Sequence, residues 1–254
     1  MSGGWGGRAW VFGVYAFLYV PILCLIVFSF TAGEITTRLD GLSLRWYAAL
    51  ARDVELHAAV LLSLRVGALA ATAAVVVGTA AAVILVRAGD YPGSRFFLGM
   101  MSAPMVMPEV VVGLSLVLLF THPALAILGG RGVAAIWVAH TTLCTAYVAV
   151  LVASRLREMD RALEEAALDL GCPPLKVFFV ITVPVIAPAL AAGWLLAFTL
   201  SMDDFVLAAM LSDPGSTTLP VLVFARLHHG LKPEINALAT VIVVVVSIAV
   251  LLAN

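Results

Sequence analysis

Residues 57 to 86, HAAVLLSLRVGALAATAAVVVGTAAAVILV, hold a single charged side chain, Arg65, among thirty positions. About 20 predominantly apolar residues cross a ~30 Å hydrocarbon core as a helix. Inside that core the backbone has no water to bond, so only helices and closed barrels are viable. The run shows none of the roughly ten-residue polar/apolar alternation of a barrel strand. Six apolar runs of this kind can be drawn, at 10–30, 57–86, 97–120, 133–153, 178–202 and 235–253. With apolar residues at 63% and charged residues at only 11% of 254, a soluble chain is excluded. The expected fold is an all-α membrane protein of six transmembrane helices, forming one domain over residues 1–254.

The start of the chain, MSGGWGGRAWVFGVYAFLYVPILCLIVFSF, places Arg8 before an apolar stretch as a secretion signal does. The stretch is too long and lacks a small-x-small cleavage site, so it reads as a retained first span. A net charge of −1 supplies no basic field, which argues against nucleic acid as a partner. Cys24, Cys144 and Cys172 are widely spaced and match no metal-ligand pattern. Cys24 and Cys144 fall within apolar runs and read as small buried hydrophobes.

Between the first two runs, Leu42, Trp46, Leu50 and Val54 recur every four residues. That spacing predicts a short helix in the membrane interface, with Trp46 and Tyr47 at headgroup level. RAGDYPGS, with Gly89, Pro92 and Gly93, reads as a tight turn. Counting Lys and Arg on either side gives a tie. Weighting the charges beside span ends favours a cytoplasmic N-terminus slightly.

The least membrane-like segment is SRLREMDRALEEAALDLGCPPLK, charge-dense and set between two apolar runs. Arg161 to Leu170 has good helix formers and acidic residues near its start, where the helix dipole favours them. Leu163, Ala166, Ala167 and Leu170 share one face. Gly171 stands where a C-terminal glycine cap would, and Pro173 and Pro174 stop the helix. The outcome is a short amphipathic helix outside the membrane, spanning 161–176 with its cap. Its small side chains would let another backbone approach, and Glu165 and Asp169 could meet donors there. A solvated connector would look the same by composition alone.

Glu165-Ala166-Ala167, three residues, Gly171, nine residues, Ile181 and Pro184 resemble the EAA signature of bacterial ABC-importer permeases. Val183 stands in place of the usual Leu. RWYAAL, APMVMPEVVVGLSL, WLLAFTLSMDDFVLAAML and TTLPVLVFARLHHGLKPEINALAT resemble the polyamine-importer branch, and the putrescine systems most of all. The resemblance implies a type I importer permease in the bacterial inner membrane with a cytoplasmic N-terminus. It also implies a heterodimer with a second permease, two ATP-binding subunits and a periplasmic solute-binding protein. The 161–176 segment becomes the coupling helix, with Glu164, Glu165, Ala166, Ala167, Asp169 and Gly171 meeting the ATPase.

No G-x-x-x-x-G-K-[ST], G-x-S-x-G or H-E-x-x-H occurs in the chain, so neither a phosphate loop nor a hydrolytic site is expected. No cofactor or metal is implied. Ionisable residues inside spans are functional candidates by default. Glu109 follows Pro104 and Pro108 in the third run, where a proline kink could open a cavity for a carboxylate. Asp203 and Asp204 close the fifth run, where two adjacent carboxylates at the outer mouth would attract a di-cation. Aromatic faces such as Trp194 and Tyr147 suit ammonium groups. His140 fits a structural bond to another helix. Arg65 is expected to snorkel or pair, and His228 and His229 to be loop residues. The same machinery could carry another solute, such as spermidine or an iron chelate. A secondary transporter would show an inverted repeat.

Overall fold

A computed structural model describes residues 5–36, 38–89, 91–123, 130–228, 230 and 232–253. The described residues form helices joined by short connections, in chain order α1 (Trp5–Phe28), α2 (Arg45–Leu50), α3 (Val54–Arg87), α4 (Ser94–Val106), α5 (Glu109–Thr121), α6 (Val133–Glu158), α7 (Ala162–Asp169), α8 (Pro174–Val177), a π-helical turn (Phe178–Thr182), α9 (Val183–Asp203), α10 (Val206–Leu211), α11 (Leu219–His228) and α12 (Pro233–Ala253). They fall into two compact units: residues 1–57 with 222–254, and residues 58–221.

Four of these helical stretches are long and apolar enough to cross a membrane: Gly7–Phe28, Val54–Arg87, Val133–Glu158 and Pro174–Asp203. At 1.5 Å per residue, the 34-residue α3 is about 51 Å long, so it outruns a ~30 Å core and carries an end into water. The third apolar run is not one continuous span. It breaks into α4 and α5, bent by 108°, and counts as a fifth span only if the pair is taken together. The sixth run forms α12, whose stretch Pro233–Ile248 is a shorter apolar helix.

The larger unit is built around α6, with thirteen buried residues along its length. One end packs on α3 and α9 through Ala71, Ala74, Cys144, Val148, Ile186 and Ala197. The other packs on α5 and α10 through Phe120, Ile136, Leu143, Leu207 and Leu211. Lipid tails are as apolar as leucine, so helices here gain by close contact between small residues rather than by hydrophobic exclusion. Gly78 of α3 shows how tight that contact is. A Cβ at this position would lie 3.0 Å from the Val148 side chain and 3.1 Å from the Ala149 backbone nitrogen.

Two prolines account for the irregular backbone. Pro108 drives the preceding Met107 into extended conformation (ψ 141°), which ends α4 and redirects the chain. Pro104, by contrast, is tolerated within α4. Pro184 sits in the first turn of α9, directly after the π turn. Proline has no N–H and crowds the carbonyl four residues back, and the wider π turn accommodates both defects.

In the smaller unit, α1 leaves its apolar side chains facing outward, Cys24 among them, so Cys24 is exposed rather than buried. The connection after α1 is tied together by Thr31, which is fully buried. Its hydroxyl donates to the Arg38 carbonyl (2.8 Å), and its own carbonyl accepts from Trp46 Nε1 (3.0 Å). This tie limits the expected interfacial helix to the six residues of α2. Leu42 and Val54 lie outside α2 and are 80% exposed, while Leu50 alone of the four is buried. His228 belongs to the last turn of α11, packed on Phe224, and is not a loop residue. His229 lies outside the described residues.

The same unit contains an ion-pair network on Arg226. The guanidinium bonds Asp53 and Glu234 through Nη1 and Glu55 through Nη2 (3.0 Å). Asp53 also caps α3, accepting the Leu56 N–H at 2.9 Å. The Arg226 bond holds the Asp53 carboxyl below its ordinary value of 3.8, outweighing the opposing effect of burial. Asp53 in turn raises Arg226.

A group with a depressed pKa stabilises the fold above its unfolded value and loses that contribution as pH falls through the folded one. Acidification from neutral to below 3.8 should therefore loosen the start of α3, α11 and α12, read by hydrogen exchange in detergent. Asp53→Ala should cost about 2 kcal/mol, from the lost cap and charge-assisted bond, and should flatten this acid response. Gly78→Val should lower thermal stability by about 1–3 kcal/mol, the usual cost of overpacking, while Gly99→Ala, with open space around it, should not.

Candidate functional site

The helix α7 is delimited by its own sequence. Asp160 Oδ1 accepts the Ala162 N–H (2.9 Å) at its start. At its end Gly171 takes a left-handed φ of +80°. The Gly171 N–H then reaches the Leu168 carbonyl (2.9 Å) and the Cys172 N–H the Ala167 carbonyl (3.0 Å), the paired bonds of a Schellman cap. Glu165, Ala166 and Asp169 are exposed, and Ala167 is half-buried. The apolar residues of the helix stay uncovered, with Leu163 50% and Leu170 89% exposed. A short helix presenting leucines, alanines and the exposed carboxylates of Glu165 and Asp169 on its outside is a surface that none of the described residues covers.

Glu164 departs from the expectation that it faces a partner. Its side chain is 18% exposed and turned inward. Arg87, the last residue of α3, donates from Nη2 to Oε1 (3.2 Å) and brings Nε to 3.1 Å from Oε2. Thr182, the last residue of the π turn, donates its hydroxyl to Oε1 at 2.7 Å. Arg161, just before α7, adds a bond from Nη2 to the Val86 carbonyl (2.7 Å).

The five residues expected along a substrate path do not converge on one cavity. Glu109 is exposed and opens α5 directly after the 108° break, rather than lying within a continuous span. A carboxylate in the first turn of a helix is favoured by the unpaired N–H groups there. Trp194 stacks on Phe198 with centroids 5.3 Å apart and planes 5° from parallel, and its Nε1 donates to Thr72 Oγ1 (3.1 Å). Tyr147 packs instead on the opposite cluster, with α5 and α10.

The aspartate pair separates. Asp203 is exposed, whereas Asp204 is 7% exposed and not at a water-screened mouth. Asp204 Oδ1 accepts the N–H groups of Leu207 (2.9 Å) and Ala208 (3.2 Å), which starts α10 inside the core. His140, on α6, shares a 2.6 Å hydrogen bond with Ser201 through Nδ1, and its Nε2 lies 3.6 Å from Asp204 Oδ1. Serine, histidine and aspartate together suggest a hydrolase. Here all three residues are buried and the histidine–aspartate contact is too long for a hydrogen bond, so the geometry of a hydrolytic triad is not met. The cluster ties α6 to α9 and α10, the structural part expected for His140. Arg65 is exposed.

Two cavities are built from charge. One, about 310 Å³, lies where α3 and α6 end, lined by Arg87, Arg157, Met159 and Arg161. The other, about 400 Å³, surrounds the Arg226 network, with Lys232 and Glu234 on its wall. The sequence does not single out Arg87, Thr182, Ser201 or Arg226. Arg87 and Glu164 are 77 positions apart, and an arginine at the end of an apolar run reads as an ordinary flanking charge. Only the threonine and proline of VITVP, breaking an apolar pattern, give a local hint.

The backbone resembles that of a bacterial ABC transporter involved in the import of the acidic polysaccharide alginate. The TM-score is 0.72 over 97% of this chain and 94% of that one, at 16% identity. In sequence the chain is 56% identical over 236 residues to the putrescine transport system permease protein PotI of Escherichia coli K12, covering 92% of this chain and 84% of that one. It is 36% identical over 231 residues to the spermidine/putrescine permease PotC of the same organism, covering 91% and 86%. Residues 92–254, which include α7, its cap, the π turn and the broken α4–α5 pair, match the model of the binding-protein-dependent transport system inner membrane component. The chain belongs to that family of inner-membrane transport components.

Proposed function

We propose that this chain is a permease subunit of an ATP-driven polyamine importer of the putrescine type, in the bacterial inner membrane. The observation that carries the reading is the 56% identity, over nine-tenths of the chain, to a putrescine permease. The geometry of α7 supports the way energy enters. Its exposed Glu165, Ala166 and Asp169, beside uncovered leucines, form a surface for a separate ATP-hydrolysing subunit. In this reading the chain works as one permease domain, crosses the membrane six times with its N-terminus in the cytoplasm, and pairs with a second permease. Two ATPase subunits and a periplasmic binding protein complete the machine.

Glu109 suits a transient contact with an ammonium group. It is exposed on this chain and has no hydrogen bond or ion pair among the described residues. In the heterodimer it would face the path between the permeases, with Asp203 and the Trp194–Phe198 stack as further stations. Asp204 contributes by starting α10 rather than by meeting solute.

Uptake of labelled putrescine by the reconstituted complex tests the reading directly. Uptake of an anionic solute in its place, with putrescine ignored, would overturn it. Glu109→Gln preserves shape and should leave the amount of inserted chain unchanged. It should lower putrescine uptake by on the order of tenfold or more, the loss of one charge-assisted bond. Asp204→Ala should instead reduce the amount of folded chain, through loss of the α10 cap. Glu165→Lys combined with Gly171→Leu should leave the chain inserted but weaken co-purification of the ATPase. The leucine also strains a left-handed position by about 1–2 kcal/mol.

A further inference from the structure

Glu164 and Glu165 are adjacent carboxylates on one short helix with opposite fates. Glu165 is exposed, while both oxygens of Glu164 are engaged inside the chain. The partners of Glu164 come from two different helical stretches. Arg87 terminates α3, and Thr182 terminates the π turn that leads into α9. Arg161 adds a second tie from the start of α7 to the carbonyl of Val86. So α7 is not a loop helix hanging between spans. It is joined through one carboxylate to the end of one span and to the most irregular turn of another.

We propose that Glu164, Arg87 and Thr182 are positioning residues for energy coupling. They make α7 move as one body with the end of α3 and with the π turn, so that displacement of α7 reaches both helices. The proposal rests on the reading of α7 as the ATPase docking helix, and it divides the labour within that helix. Glu165 and its neighbours face the partner, and Glu164 transmits inward.

The chemistry fits transmission better than mere anchoring. A carboxylate that is 18% exposed, paired with an equally sheltered guanidinium, resists separation more than a pair in open water does. The bond from Thr182 is made at a π turn, an irregular backbone form that is rare within α-helices and frequent at functional sites. A pull on Glu164 therefore acts on the irregular part of the 174–203 stretch. The prolines at 184 and 188 keep the following turns from a full bonded ladder.

The test uses the complete complex in proteoliposomes, with solute uptake and ATP hydrolysis measured on the same sample. Glu164→Gln should leave ATPase co-purification and hydrolysis near parental levels and raise ATP consumed per solute by about fivefold, the scale of coupling within one ion-pair network. Exchange of the two charges, Arg87→Glu with Glu164→Arg, should recover at least part of the parental ratio. Thr182→Val should raise the ratio less, and it serves as the deciding variant if Glu164→Gln fails to accumulate. A parental ratio in both Glu164→Gln and Thr182→Val would overturn the proposal. So would loss of ATPase co-purification on Glu164→Gln, because Glu164 would then be a docking residue. Unchanged co-purification in Glu165→Lys would instead count against the docking reading, a distinct result.

Discussion

A helix in hydrocarbon satisfies its own backbone, and every interruption leaves N–H and C=O groups that need a remedy close by. In this chain the interruptions coincide with the residues of greatest chemical interest. The break at Met107–Pro108 is followed by Glu109 at the head of α5. The π turn ends on Thr182, bonded to Glu164. Where α9 stops, Asp204 turns back to accept the first N–H groups of α10. The three respond differently: Asp204 bonds freed backbone N–H groups, Thr182 bonds a carboxylate from another helix, and Glu109 stays exposed at a helix start.

Packing around α6 makes these local arrangements possible. Small residues from α3, α6 and α9 bring the helices close, and contact at Gly78 is tight enough to exclude a methyl group without movement. With the backbone fixed at that spacing, the ends of the helices are fixed as well. The 34 residues of α3 then place Arg87 beyond the apolar core, at the level of α7.

Much of this was legible in the residues. The long apolar runs are helices, and the cap at Gly171 follows from a glycine set after an alanine- and leucine-rich helix and before two prolines. The helix-forming stretch Arg161 to Leu170 becomes α7, Ala162–Asp169, whereas residues 174–176 of the 161–176 segment belong to α8. The third run has the pattern of one kinked helix, although Pro108 with its extended neighbour redirects the chain by 108°. The four-residue repeat from Leu42 to Val54 predicts one helix. Asp53 instead starts α3, and the Thr31 ties confine α2. Pairings across many residues, such as Arg87 with Glu164 or Arg226 with Asp53, carry no local signature, since periodicity reports only which residues share a face.

The two acidic doublets show why. Adjacent residues on an α-helix point about 100° apart, since a turn takes 3.6 residues. A doublet at a helix surface is therefore seldom a single site. One member can face inward only if it finds enough partners to offset its burial, and the other then remains outside. Glu164 meets Arg87 and Thr182, and Glu165 stays exposed. Asp204 meets the N–H groups of α10, and Asp203 stays exposed. In both doublets the inward carboxylate fixes the geometry of the helix and the outward one remains free for another molecule. Reading each pair as two equal ligands overlooks this division. The inward member is therefore the one whose loss disturbs the chain itself, and the outward member the one whose loss disturbs what the chain meets.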